Sequence, residues 1–213
     1  MSQLVRAAAG RILLAAIVAV LATCVVVADV PRTEPQADCH AADKEIAKKG
    51  YEHDSSAYTI PEVVLLDQDG RKVPLPKLMS QDQAIVLDFI FTSCRTICPV
   101  LSSTMANLRR ALGPEYDNVT MISVSIDPEF DSPPVLKGYA SRFGATPNWL
   151  FLTGSVEDII SVQRAFEAYP GDKSAHRPLT FLKPRGANQW VRLEGFPKAA
   201  EIAEEWRTAS AAR

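Results

Sequence analysis

The sequence predicts an α/β fold in which a central mixed sheet is flanked by helices. Three observations carry this. Apolar, β-branched runs at 85–91, 119–126 and 149–152 are each followed by a stretch with helical spacing. The chain then closes with two strands joined by a turn, 178–183 and 189–193, and a last helix from Pro197 or Lys198 to about Ser210. An earlier strand-turn-strand, 63–67 and 71–75 about Asp69 and Gly70, precedes them all. Strands alternating with helices require a sheet covered on both faces.

Each element has a local cause. The helix at 100–112 is amphipathic and stops at Gly113 and Pro114. Asp127 and Pro128 end the strand at 119–126, and Pro133 and Pro134 open a helix to about Phe143, with Asp131 or Ser132 as its cap. Ser155 caps a helix to about Ala168, and Glu157 and Asp158 in its first turn suit the macrodipole. Trp149, Trp190 and Trp206 are read as core or edge aromatics.

With 213 residues, 47% hydrophobic and 23% charged, the chain suits one globular domain and an appendage. Its net charge of −2 argues against nucleic acid as a partner. The appendage is N-terminal. Arg6 and Arg11 precede an uncharged apolar run at 12–28, which reads as an export signal or a single-pass inner-membrane anchor. Cleavage after Ala28 would leave a soluble periplasmic product, and Leu21 to Cys24 is a weaker lipoprotein-like site. The positive-inside rule puts everything after Ala28 on the periplasmic side, where cysteines meet an oxidising environment. The expected organisation is therefore 1–28 signal or anchor, 29–57 tether carrying a short helix at 41–49, and 58–213 the folded domain.

The central run, 85–91, ends in Thr92, Ser93 and Cys94, and helical spacing begins near Thr96. If the helix starts at Cys94, then Cys94 and Cys98 share one face with Cβ atoms about 5–6 Å apart. Open amides and the positive end of the helix favour thiolates there, and Arg95 adds a cation. The expectation is a dithiolate of low pKa. A dithiol at the end of a central strand, on the opening turn of a helix, is the thioredoxin-like arrangement.

Three residues separate the cysteines, which still permits a disulfide but suits two thiolates gripping one metal ion. Thiolates select Cu(I), zinc or iron clusters, and an added imidazole suits copper. Only His40, His53 and His176 are available. His176 precedes the strand at 178–183, in a loop that should lie against the dithiol helix, whereas His40 and His53 fall in the tether and read as solvated surface residues.

From about Tyr58 to Trp206 the chain resembles the Sco/SenC family of exported, membrane-anchored, thioredoxin-like copper proteins that serve cytochrome c oxidase assembly. The resemblance is carried by Phe91, Thr92, Ser93, Cys94, Cys98 and Pro99. Ser125, Ile126, Asp127, Pro128, Glu129, Phe130 and Asp131 add to it, as do Leu152, Thr153, Gly154 and His176. It implies copper, Cu(I) or Cu(II), bound by Cys94, Cys98 and His176. It also implies delivery to the copper-bearing subunit of cytochrome c oxidase, with other periplasmic copper carriers or thiol reductants as further partners. The expected role is a metallochaperone rather than an enzyme. Two positions depart from the family pattern: Arg95 stands where proline is usual, and Ala175 where an acidic residue is common.

A thiol-disulfide oxidoreductase with Cys94 and Cys98 as its redox pair is the alternative, and Pro178, two residues after His176 at the start of the 178–183 strand, favours it. A peroxidase, suggested by Thr92 two residues before Cys94, is more remote. Asp127 and Asp131 serve as strand end and helix cap or as a docking surface. Cys39 beside His40 fits a reactive thiol, an intermolecular disulfide or a transient copper ligand.

Overall fold

Strand β4 (Ala84–Ile90) is buried along its whole length, because helices cover the sheet on both sides of it. That double burial is why its sequence reads as a continuous apolar run broken only by Asp88. The computed structural model describes residues 49–80 and 82–212, all of which belong to one compact unit. The expected anchor, most of the expected helix at 41–49, Cys24, Cys39 and His40 lie outside the described residues. Among the described residues no helix is long and apolar enough to cross a membrane.

In chain order the other elements are β1 (Tyr51–Ser56), β2 (Val64–Leu66), β3 (Lys72–Pro74), α1 (Leu75–Leu78) and, after β4, α2 (Ile97–Leu112). There follow β5 (Val119–Ser125), α3 (Pro133–Arg142), β6 (Trp149–Leu152), α4 (Val156–Ala165), β7 (Leu179–Lys183), β8 (Trp190–Gly195) and α5 (Ala199–Ala211). The main sheet runs β1-β8-β7-β4-β5-β6. β4, β5 and β6 are parallel, and β7, β8 and β1 continue antiparallel from β4. This is the thioredoxin-like sheet that the sequence predicts. β2 and β3 form a separate hairpin, joined to the main sheet through the bridge of Leu66 to Thr153.

Alternation along β4 divides the core. Val86 and Ile90 pack with Met105 and Leu108 of α2, Leu136 and Tyr139 of α3, and Ile202 and Ala203 of α5. Ile85, Leu87 and Phe89 pack on the other face with Leu65, Leu75, and Ile159 and Val162 of α4. Fully burying a side chain of this size contributes about 1.5–3 kcal/mol.

One boundary differs from expectation. Residues 51–56, read as the end of the tether, form β1 and pair with β8 from Tyr51 opposite Gly195 to Ser56 opposite Trp190. The folded domain therefore begins before Tyr58. The strand was hidden because YEHDSS is a polar edge strand, exposed along most of its length. The pairing also needs a glycine that only its neighbours reveal. A Cβ on Gly195, whose φ is +128°, would stand 2.7 Å from the Gly50 carbonyl oxygen.

Candidate metal centre

The turn after β4 carries the first cysteine. The Cys94 N–H donates to the Phe91 carbonyl at 3.1 Å, closing a tight turn ahead of α2. The helix starts at Ile97 with Thr96 as its N-cap, not at Cys94. The two cysteines therefore do not share a helical face: Cys94 lies before the helix, partly exposed, whereas Cys98 is inside its first turn and fully buried. Both thiols are free.

This offset makes them chemically unlike. Burial alone would raise the Cys94 pKa. It is outweighed by the backbone N–H groups of Cys98 and Thr96, the Thr96 hydroxyl and the Cys98 thiol, which bring Cys94 down from 9.0 to about 7. The donors are the open amides expected at a helix N-terminus, and the Thr96 Oγ1 lies 3.6 Å from the sulfur. Cys98 moves the other way. Burial pushes its thiol up, and Cys94 and Asp88 add to the effect, against a backbone contribution from Phe91. The expected pair of thiolates is thus one thiolate and one thiol.

His176 follows a short 3-10 turn, Lys173–Ala175, which the Asp172 side chain caps by accepting from the Ser174 N–H at 2.8 Å. The imidazole is buried, 8% exposed, with its ring edge-on to Phe91 at 6.2 Å between centroids. Burial lowers its pKa from 6.5 to about 4, opposed by a hydrogen bond to the Phe89 backbone and aided by Arg177, so the ring is neutral at any physiological pH. Nε2 is buried and has no partner. A neutral imidazole with an orphaned nitrogen, a low-pKa thiolate and a second thiol are the chemical types of a copper donor set. The three side chains are not gathered around a common point. Among the described residues no group of three His, Cys, Asp or Glu side chains stands close enough to hold a metal ion.

The acidic segment grips both ligand-bearing loops. Asp131 is fully buried. Its carboxylate accepts from the Thr92 N–H at 3.0 Å, from the Thr92 hydroxyl, and from the Ser125 hydroxyl at 2.6 Å. It is neither a docking residue nor the cap of α3, whose N-cap is Ser132. Asp127, also buried, accepts from Lys173 Nζ at 2.6 Å. The sequence offered Asp127, Asp131, Thr92 and Ser125 but neither their pairing nor Lys173, because side-chain pairing across loops leaves no periodic trace.

Asp88 was missed although its signal was legible, as a carboxylate inside a seven-residue buried strand. One oxygen accepts from the Ser123 hydroxyl at 2.6 Å and the other has no partner. Burial raises its pKa from 3.8 to about 7, against the bonds from Ser123 and its own backbone. His53 sits on edge strand β1, with Nδ1 2.8 Å from Glu205 Oε2, and contributes nothing to the cysteine site. Arg95 and Ala175 are exposed. Trp149 and Trp190 are core residues as expected, and the Pro178 carbonyl accepts from the Gly195 N–H at 2.9 Å as β7 begins.

The comparison with known proteins is decided by a family model described as SCO1/SenC, which matches residues 52–181. The chain belongs to the SCO1/SenC family. Among relatives of this family, the SCO1 protein homolog of Bacillus subtilis is 39% identical over 142 residues, 65% of this chain and 67% of that protein. A protein of Stutzerimonas stutzeri named for copper binding is 31% identical over 107 residues, half of each chain. The solved structure of BsSco, described as a member of the Sco family of cytochrome c oxidase assembly proteins with a disulfide switch, superposes with a TM-score of 0.62. It is 31% identical and covers 75% of this chain and 98% of its own. The thioredoxin-like fold is shared with these Sco structures.

Proposed function

We propose that this SCO1/SenC protein is a copper metallochaperone that carries copper on Cys94, Cys98 and His176 to the copper-bearing subunit of cytochrome c oxidase. It works on the periplasmic side of the inner membrane, tethered by the run at 12–28 or released after cleavage near Ala28. The observation that carries the reading is the His176 Nε2, buried, neutral and without a partner, in a loop packed against the residue that opens the cysteine turn.

The residues divide the work. Cys94 offers a thiolate at neutral pH and is the exposed member of the pair, so it meets the ion first. Cys98 must give up its proton to join, and copper uptake therefore releases protons and weakens as the pH falls. His176 needs no deprotonation. The assembly link to cytochrome c oxidase is what BsSco, a family relative, is described as serving. The Stutzerimonas relative supports copper as the cargo.

Anaerobic titration of the reduced chain with Cu(I) and with Cu(II) tests this. One copper per chain is expected, with intense thiolate-to-Cu(II) absorption that vanishes in Cys94→Ser and weakens sharply in His176→Ala. Stoichiometric binding indifferent to Cys94, Cys98 and His176 would refute it.

One observation favours a thiol-disulfide role beside or instead of carriage. An exposed thiolate next to a buried thiol is the asymmetry that thiol exchange requires, a nucleophile and a resolving partner. A strongly reducing dithiol with negligible copper affinity would move the assignment to this reading.

A further inference from the structure

We propose that the cleft between the acidic turn at 127–131 and α4 is a docking recess that takes an arginine side chain from the protein receiving copper. The partner's role rests on the copper reading above, whereas the recess stands on its own residues.

The cleft encloses about 330 Å³, the low end of ligand pockets and room for a side chain rather than a large cofactor. Its apolar wall is Ile126 with Ile159 and Ile160 of α4. Gln163, one helical turn beyond Ile159, also lines it. That residue is only 3% exposed, yet its side-chain amide makes no hydrogen bond among the described residues. A buried amide without a partner costs free energy, and a donor entering the cleft removes that cost.

The mouth is acidic. Asp127, Glu129 and Asp172 line it against one cation, Lys173, which Asp127 already pairs at 2.6 Å. The Glu129 carboxylate is exposed and has no ion pair or hydrogen bond among the described residues. Charge complementarity therefore selects a cation. Two acceptors, the Glu129 carboxylate and the Gln163 side-chain carbonyl, suit the planar fork of a guanidinium whose stem lies on Ile126 and Ile159. An ammonium is more strongly hydrated and loses more on entering an apolar cleft.

Three exposed apolar side chains mark the rim: Val156 and Tyr169, which line the cleft, and Phe130, next in the chain after Glu129. A free small cation would leave them in water, whereas the protein surface around an arginine covers them. Arg164 already stands 5.0 Å over the Tyr169 ring, so the carboxylates rather than that ring meet the incoming charge. Lys173 links the cleft to the metal residues. It lines the cleft, and its ammonium stands 5.9 Å over Phe91, the ring against which His176 packs. A partner seated in the cleft touches the loop that carries His176.

Amide-shift titration of the reduced, copper-free, full-length chain with an acetyl-Gly-Arg-Gly-amide peptide tests the recess, with lysine and citrulline peptides as controls. Shifts should concentrate at 126–129, 159–163 and 169–173. The citrulline peptide, neutral but of the same shape, should bind about tenfold more weakly, and the lysine peptide between the two. Glu129→Gln should weaken arginine binding about two- to fivefold at low ionic strength, an effect that about 0.5 M salt removes. Gln163→Met keeps the side chain's length, removes the amide and should weaken binding about tenfold at either salt. Equal binding of the arginine and citrulline peptides, or arginine binding indifferent to both variants, overturns the recess. A second arm follows copper passing from the loaded chain to the copper-free soluble domain of the oxidase's copper-bearing subunit. Glu129→Gln should slow that transfer about two- to fivefold with copper loading unchanged, and excess arginine peptide should slow the wild type. Transfer indifferent to both overturns the docking role. A wild-type chain that takes up no copper, or passes none on, would overturn the copper reading instead, and the peptide titration would still decide the recess.

Discussion

The inequality of the two thiols has a measurable signature in the pH dependence of alkylation. At pH 7 a thiol with a pKa of about 7 is half ionised, against about 1% for one at 9, an advantage of about fiftyfold. Thiolate nucleophilicity falls with pKa at a Brønsted slope of about 0.4–0.5, which over this difference takes back about eightfold. Cys94 should therefore react with iodoacetamide about sixfold faster than an ordinary cysteine at pH 7, and about eightfold slower than one well above pH 9. The perturbation is Thr96→Val, which keeps the β-branched shape and removes the hydroxyl 3.6 Å from the sulfur. A hydrogen bond of about 1 kcal/mol moves the midpoint up by about 0.7 pH unit. Peptide-resolved mass spectrometry of the reduced, metal-free chain gives the rate at each cysteine separately, and Cys98 should stay unmodified until the protein unfolds. A Cys94 midpoint at or above about 8.5, or one that Thr96→Val leaves in place, would refute the account of the turn.

Three stability predictions accompany it. Asp131→Ala strips the partner from the Thr92 N–H and from the Thr92 and Ser125 hydroxyls, and should cost about 3–5 kcal/mol in denaturant unfolding. A loss below about 1 kcal/mol would show that the bonds are replaced by water. Asp88, whose pKa rises to about 7 on folding, favours the folded state as the neutral acid, so its contribution is lost as pH rises from about 4 to 7. Asp88→Asn should remove that loss, about 4 kcal/mol at pH 8, and an unchanged pH profile would sink the assignment. His176 acts with the opposite sign. Its pKa falls to about 4 on folding, so stability is lost as pH drops from about 6.5 to 4, and His176→Gln should flatten that limb by about 3 kcal/mol in denaturant titrations across the range.

How much of this was legible varied residue by residue. Strand β4 was plain because burial on both faces removes the polar alternation that hides most strands. α4 was plain because Ser155 caps it, accepting from the Asp158 N–H at 3.1 Å. β1 was not, since its register depends on a glycine more than 140 residues away that lets two backbones approach. Cys94, Cys98 and His176 were singled out by residue type and spacing, but placing the helix start at Cys94 rather than Ile97 made two different thiols look alike.

The sequence by itself determined the order of elements from β4 onward, the dithiol at the end of a buried strand and the family, because short-range periodicity and spacing are properties of the chain. Tertiary structure decided which sulfur is ionised, that Asp131 is a buried anchor, and that Lys173 ties the His176 loop to Asp127. Those depend on burial and on hydrogen bonds between residues far apart in the chain, and only packing sets the dielectric and the distances that fix their strength.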